Sequence, residues 1–134
     1  MVRDPSKVSI PLINRALNRV YLHIGSEAKL LRIVEEFYEV MSKDVLLFHF
    51  FEGKDLKLIA QKQTEFLLKA MGVKASYEGK APADAHTAIA SILEGHFNRR
   101  LVLLEQVLKQ NGLPKDLIDL WISFENSFRE GVLS

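Results

Sequence analysis

Glu94-Gly95-His96-Phe97-Asn98-Arg99-Arg100-Leu101-Val102-Leu103-Leu104-Glu105-Gln106-Val107-Leu108 is the stretch that sets the class of this chain. Phe97, Leu101, Leu104 and Leu108 recur at intervals of three and four residues. That is the apolar stripe of an amphipathic helix, predicted over 94–110. The preceding stretch, 72–92, carries Gly72, Gly79 and Pro82 and little periodicity. It predicts a long irregular connection, a feature that compact domains often keep for function. His96 stands where that connection hands over to helix, beside Phe97 on the apolar face. Downstream, Asn111-Gly112 end the helix and Pro114 suits the first turn of another. That last helix, 114–131, buries Leu117, Leu120, Trp121, Phe124 and Phe128.

The helical period continues toward the N-terminus. Residues 12–22 put Leu12, Ala16, Leu17 and Val20 on one face with Tyr21 beside it, and Gly25 stops the chain. Residues 27–42 repeat the pattern through Leu30, Leu31, Val34, Phe37, Tyr38 and Met41, with Ser26 as N-cap. A short apolar segment, Val45 to Phe51, closes at Glu52-Gly53. Residues 55–71 form a further helix with Leu56, Ile59, Phe66, Leu67 and Ala70 buried, Asp55 capping it and Gly72 following. No run of four to eight residues alternates as a strand would. The class is all-α in one domain. The spacing of the long helices suits a two-over-two sandwich or a four-helix bundle, and periodicity does not choose between them.

The chain has 134 residues, enough for one domain with a real core. Its 18 basic and 17 acidic residues leave a charge of +1, which gives no support for a nucleic acid or an anionic membrane as partner. There is no cysteine, which excludes disulfides, iron–sulfur clusters and thiolate ligation of a metal. Neither an apolar leader nor a run of about 20 apolar residues is visible, and a cytoplasmic protein is the expectation.

Polar residues on apolar faces are where chemistry could sit. Gln63 falls on the stripe between Ile59 and Phe66, and a buried amide left unpaired costs about 1–3 kcal/mol. Tyr38 shares the inward face of Leu31 and Val34, and its hydroxyl also needs a partner. The two could pair with each other as a core network, or both could donate to a bound polar ligand. His23 and His49 read as structural or partly exposed, and His86 lies in the irregular stretch. Arg99 and Arg100 read as solvated surface charges. No HxxxH or HExxH motif, phosphate loop or GxSxG elbow is present. His96 alone suits single-point axial ligation of a cofactor better than a bare-ion cage.

Several short pieces, in order, resemble the truncated haemoglobins, the short bacterial and protist globins with a two-over-two helical fold. Tyr21-Leu22-His23-Ile24-Gly25 is similar to that family's YxxIG opening, and Phe37-Tyr38 to its FY pair. Phe50-Phe51-Glu52-Gly53 resembles its FFxG turn, and Lys62-Gln63-Thr64-Glu65-Phe66 its KQxxF run. Tyr77-Glu78-Gly79, Ala85-His86, His96-Phe97 and Gly112-Leu113-Pro114 resemble its YxG, AH…HF and GxP pieces. The resemblance covers about residues 18–132 and is nearest the family's first group. Residues 1–17 would be an added leading helix, and 18–134 a single globin-like domain. Departures are Gly25-Ser26 and Gly72-Val73 where glycine pairs are usual, and an interval from His86 to His96 one residue longer.

The resemblance implies haem b (iron protoporphyrin IX) as cofactor, with His96 as proximal iron ligand. Tyr38 and Gln63 would be distal hydrogen-bond donors, with Ile59 in the distal position where many globins carry His. Phe50, Phe51, Phe66 and Phe97 would pack around the porphyrin, while Lys62 and His86 would face propionates. The implied activity is binding of O2 or another diatomic gas such as CO or NO. NO dioxygenation or a peroxidase-like reaction is the enzymatic alternative and would need a reductase partner. A haem-free helical interaction module is the remaining one.

Overall fold

The computed structural model describes residues 15–74 and 92–132. Helix α1 is Arg15–Ile24 and α2 is Glu27–Lys43. A 3-10 turn at Phe48–Phe50 leads to α3, Leu56–Ala70. Then come α4, Glu94–Gln110, α5, Lys115–Asn126, and a last turn α6, Arg129–Val132. No strand occurs among the described residues. Helix α2 packs on α3, α4 packs on α5, and α2 also meets α4. The result is a two-over-two helical sandwich, with α1 lying against α5.

The predicted caps explain where the helices start. The Ser26 hydroxyl accepts the Lys29 N–H at 3.2 Å, and the Asp55 carboxylate accepts the Leu58 N–H at 3.1 Å. Each satisfies an amide that the first turn leaves without a helical partner. Gly72 and Gly112 follow α3 and α4 with φ of 81°, a conformation that glycine adopts without a Cβ penalty.

The inward stripes meet in one core. Leu30, Val34, Phe37 and Met41 of α2 face Leu67 and Ala70 of α3 and Leu104, Val107 and Leu108 of α4, all buried. Burying each large aliphatic side chain stabilises the fold by roughly 1.5–3 kcal/mol. Trp121 and Ile118 close the core from α5.

Three expectations need correction. Ala16 is exposed, because the buried face of α1 runs through Leu17, Val20 and Ile24. The segment 45–51 is not a core piece. Val45 is 79% exposed and Leu47 alone is buried there, because the chain turns in a tight 3-10 loop instead of presenting one face. The predicted helix 114–131 breaks after Asn126. The Ser127 hydroxyl donates to the Phe124 carbonyl there, a local bond that competes with continued helix. The predicted connection 72–92, with His86 and Tyr77-Glu78-Gly79, and Leu12 of the leading segment lie mostly or wholly outside the described residues.

Candidate functional site

Tyr38 sits on the buried face of α2. It is 6% exposed. Its ring lies tilted against Phe37 at 5.6 Å and edge-on to Phe51 at 5.8 Å. The Arg100 charge acts on its hydroxyl. Burial raises the Tyr38 pKa; the Arg100 charge works against that rise and Glu125 adds to it. The hydroxyl is therefore a neutral donor at physiological pH.

Arg100 does not lie in solvent as its place in a charged pair suggested. Its side chain is 16% exposed and that of Glu125 is 7% exposed. Arg100 Nη1 donates to Glu125 Oε2 at 3.1 Å, and the guanidinium lies 5.1 Å from the centre of the Phe37 ring. The other Glu125 oxygen accepts the Trp121 indole N–H at 3.4 Å. Burial opposes the arginine's charge, but Glu125 and Tyr38 outweigh it and raise its pKa above the ordinary value. A polar chain thus runs Trp121–Glu125–Arg100 through α5 and α4. Two signals in the sequence pointed to it. Arg100 is three residues after Phe97 and four before Leu104, and Glu125 is four after Trp121, so both fall on buried stripes.

The neighbouring Arg99 holds the other side of the site. Arg99 Nε and Nη2 reach Asp44 Oδ1 at 2.9 and 2.8 Å, and Asp44 also accepts the Leu46 N–H at 3.0 Å. Asp44 is 8% exposed. The Arg99 hydrogen bond, against the effect of burial, holds its carboxyl below the usual aspartate range. This pair ties the first turns of α4 to the loop that carries Phe50 and Phe51.

That loop brings His96 into the site. The His96 ring meets Phe50 edge-on at 5.0 Å and His49 at 5.5 Å. Phe50 and Phe51 are adjacent in sequence, so one touches His96 and the other touches Tyr38. His96 Nδ1 accepts the Leu93 backbone N–H at 3.0 Å and so caps the start of α4. Phe97 is buried beneath the Arg129 guanidinium, 4.6 Å from its ring centre.

These distances define one end of the sandwich. The bacterial-like globin family matches residues 19–133. This chain is a truncated haemoglobin of group 1. A group 1 truncated hemoglobin from Synechocystis is 30% identical over 105 residues, covering 76% of this chain and 85% of that protein. One from Tetrahymena pyriformis is 28% identical over 100 residues, covering 75% and 82%. Among solved structures, the 2/2 hemoglobin of Synechococcus, crystallised in the cyanomet state with covalently attached heme, superposes with a TM-score of 0.78. It is 26% identical and the match covers 85% of this chain and 97% of that one. The Fe(III) form of the Tetrahymena pyriformis protein gives the same score at 26% identity, over 86% and 97% of the two chains.

Within this globin the expected site residues separate into two sets. Tyr38, Phe50, Phe51 and His96 are brought together around the 48–51 turn. On α3, Gln63 and Ile59 are half-buried and Lys62 is exposed. No hydrogen bond joins Gln63 to Tyr38 among the described residues. Phe66 packs instead in an aromatic cluster with Phe128 at 5.7 Å and Phe124 at 6.1 Å. No group of three or more metal-ligating side chains occurs among the described residues, and no described helix is long and apolar enough to cross a membrane.

Proposed function

We propose that this globin holds haem b through one histidine and binds a diatomic gas, O2 foremost, beside Tyr38. The observation that carries the reading is the buried Tyr38 hydroxyl. Burial holds its pKa above the ordinary value, so the hydroxyl keeps a proton to donate. The donor set suits a flat apolar cofactor: a half-buried histidine against Phe50, with Phe51 next to it against Tyr38. The haem iron, when bound, supplies the bond to the gas.

The protein's own residues supply the rest. Tyr38 and Gln63 donate hydrogen bonds to the ligand's outer atom. Ile59, Phe50, Phe51 and Phe97 exclude water, which slows oxidation and strengthens each polar contact. Lys62 on the exposed side of α3 is placed to meet a carboxylate at the rim.

The motif resemblance implies His96 as the axial ligand. The cap at His96 favours a second reading. A nitrogen that accepts an N–H bears a lone pair, so the neutral ring carries its proton on Nε2. Ligation through Nε2 would require the Leu93 bond to break. His86, in the preceding segment, is then the alternative ligand, with His96 ordering α4 and Phe50.

The test is an absorption spectrum of the hemin-reconstituted protein in ferric, reduced and CO-bound forms, beside His96→Ala and His86→Ala. A Soret band and CO complex lost only in His96→Ala support the first assignment. Loss only in His86→Ala moves the iron to His86. Absence of stoichiometric haem uptake by the unaltered chain would overturn the haem reading and leave the interaction module.

A further inference from the structure

We propose that the cavity bounded by the α1–α2 corner, one face of α2 and the α4–α5 turn is a second binding site, which takes a small organic anion with an apolar body. The inference does not rest on the haem reading. None of Tyr38, Phe50, Phe51 and His96 lines this cavity.

Three observations carry it. First, space: the cavity has a volume of about 420 Å³, within the range of small-molecule sites. Its floor is apolar. Ile24 from the end of α1, Ile33 from α2 and Leu113 from the α4–α5 turn are all buried.

Second, charge: Lys29 and Arg32, one turn apart on α2, both line the cavity, and His23 joins them from α1. Neither the Lys29 nor the Arg32 side chain has an ion-pair or hydrogen-bond partner among the described residues. The carboxylates best placed in sequence to neutralise them are engaged elsewhere. Glu27, in the same first turn as Lys29, pairs with Lys74 at 3.4 Å. Glu36, four residues after Arg32, accepts from Asn111 Nδ2 at 2.8 Å instead. Lys29 also sits near the positive end of the α2 dipole, where a cation is disfavoured. A bound anion would answer both charges and the dipole together.

Third, the far end has the opposite character. Asn111 Nδ2 also donates to the Val107 carbonyl at 2.7 Å, so both of its N–H groups are used. Its Oδ1 and Glu36 Oε1 are acceptors without a partner among the described residues. With a rise of about 1.5 Å per residue, Glu36 stands about 6 Å along the helix axis from Arg32 and about 10 Å from Lys29.

The chemical class of ligand follows. A carboxylate or phosphate ester meets the guanidinium and the ammonium. A ring or short hydrocarbon covers Ile33 and Leu113, and a hydroxyl or amine donates toward Glu36. Solvated surface charge alone would attract all small anions alike, with no preference for an apolar body.

The test is calorimetric titration of the full chain, reduced and held under CO so that any haem iron is closed to anions. The probes are 4-hydroxyphenylacetate, its neutral counterpart 4-hydroxyphenylethanol, and inorganic phosphate. We expect the aromatic acid to bind with a Kd below about 1 mM, and the other two about tenfold more weakly or worse. Lys29→Ala/Arg32→Ala should weaken the acid at least about tenfold. Lys57→Ala, which removes an exposed lysine of α3 outside the cavity, should leave it unchanged. Both cavity cations are exposed, so the double variant should keep its melting temperature. In amide nitrogen–proton spectra, the acid should move the signals of Ile24, Ile33 and Leu113 and leave Phe97 and Trp121 in place.

No saturable binding of the acid overturns the proposal. So does phosphate binding as tightly as the acid, an equal loss in Lys57→Ala, or signals that move only outside the cavity. Failure of the chain to take up haem would overturn the function proposed above and leave this site standing, whereas haem uptake without binding of the acid overturns only this inference.

Discussion

Removing Glu125 alone should unfold this protein far more easily than removing Glu125 and Arg100 together. The two side chains are 7% and 16% exposed and 3.1 Å apart. In Glu125→Met the guanidinium stays buried with no counter-charge, and the Trp121 indole loses its acceptor. A stranded buried charge costs about 3–5 kcal/mol. The Phe37 ring beneath Arg100 returns part of this, on the order of 1 kcal/mol, so the net loss should be about 2–4 kcal/mol. For a chain of this size each kcal/mol moves the melting temperature by roughly 3–5 °C, which predicts a fall of about 10 °C. In Arg100→Met/Glu125→Met, apolar groups of similar reach fill the same space, and the loss should stay under about 1.5 kcal/mol. Urea unfolding of the apoprotein, followed by circular dichroism, measures both. A double variant as unstable as the sum of the two single variants would refute the reasoning, since it would show that the charges are not coupled.

Further outcomes follow from other contacts. Asp44 has a depressed pKa through Arg99, so its contribution to stability is present above the ordinary aspartate range. It is lost as pH falls below about 3.8 toward the lower folded value. Asp44→Asn should therefore destabilise by about 1–2 kcal/mol at pH 7, and the gap from the unaltered chain should close in acid; a constant gap across pH would refute this. Phe66→Ala should cost about 3–5 kcal/mol by opening the cluster with Phe124 and Phe128, read from the urea midpoint. Tyr38→Phe should speed O2 dissociation roughly ten- to a hundredfold, and an unchanged off-rate in stopped flow would remove Tyr38 from the distal role.

Much of the fold could be read from local chemistry. Leu30, Val34, Phe37 and Met41 repeat at helical spacing and are buried. Ser26 and Asp55 cap where a side-chain oxygen was expected. These features depend on one element at a time, which is why a linear reading reaches them. The burial of Arg100 depends on two. Its face was legible from Phe97 and Leu104, but its counter-charge comes from Glu125, 25 positions later, and no single-helix pattern announces that pairing. The opposite error occurred at Val45, where apolar composition suggested core and the tight turn leaves it in solvent. At the site, Tyr38, Phe50 and Phe51 were legible as motif pieces. That Phe50 would meet His96 depends on packing between two distant segments, which the Arg99–Asp44 pair also joins. A Tyr38–Gln63 pair, one of the two arrangements the sequence left open, is not formed among the described residues.

Helix α1 bears on where this globin can be shortened. The leading segment was drawn as ending at residue 17, yet Leu17 is fully buried. One residue on, the Asn18 amide donates to the Met71 carbonyl at 2.7 Å, at the far end of α3. A chain restarted at residue 18 would leave a leucine-sized hole, a loss of about 3–5 kcal/mol. It would also place its new charged terminus beside the amide that closes α3. A gene meant to yield the minimal globin should therefore keep at least one full helical turn ahead of Leu17.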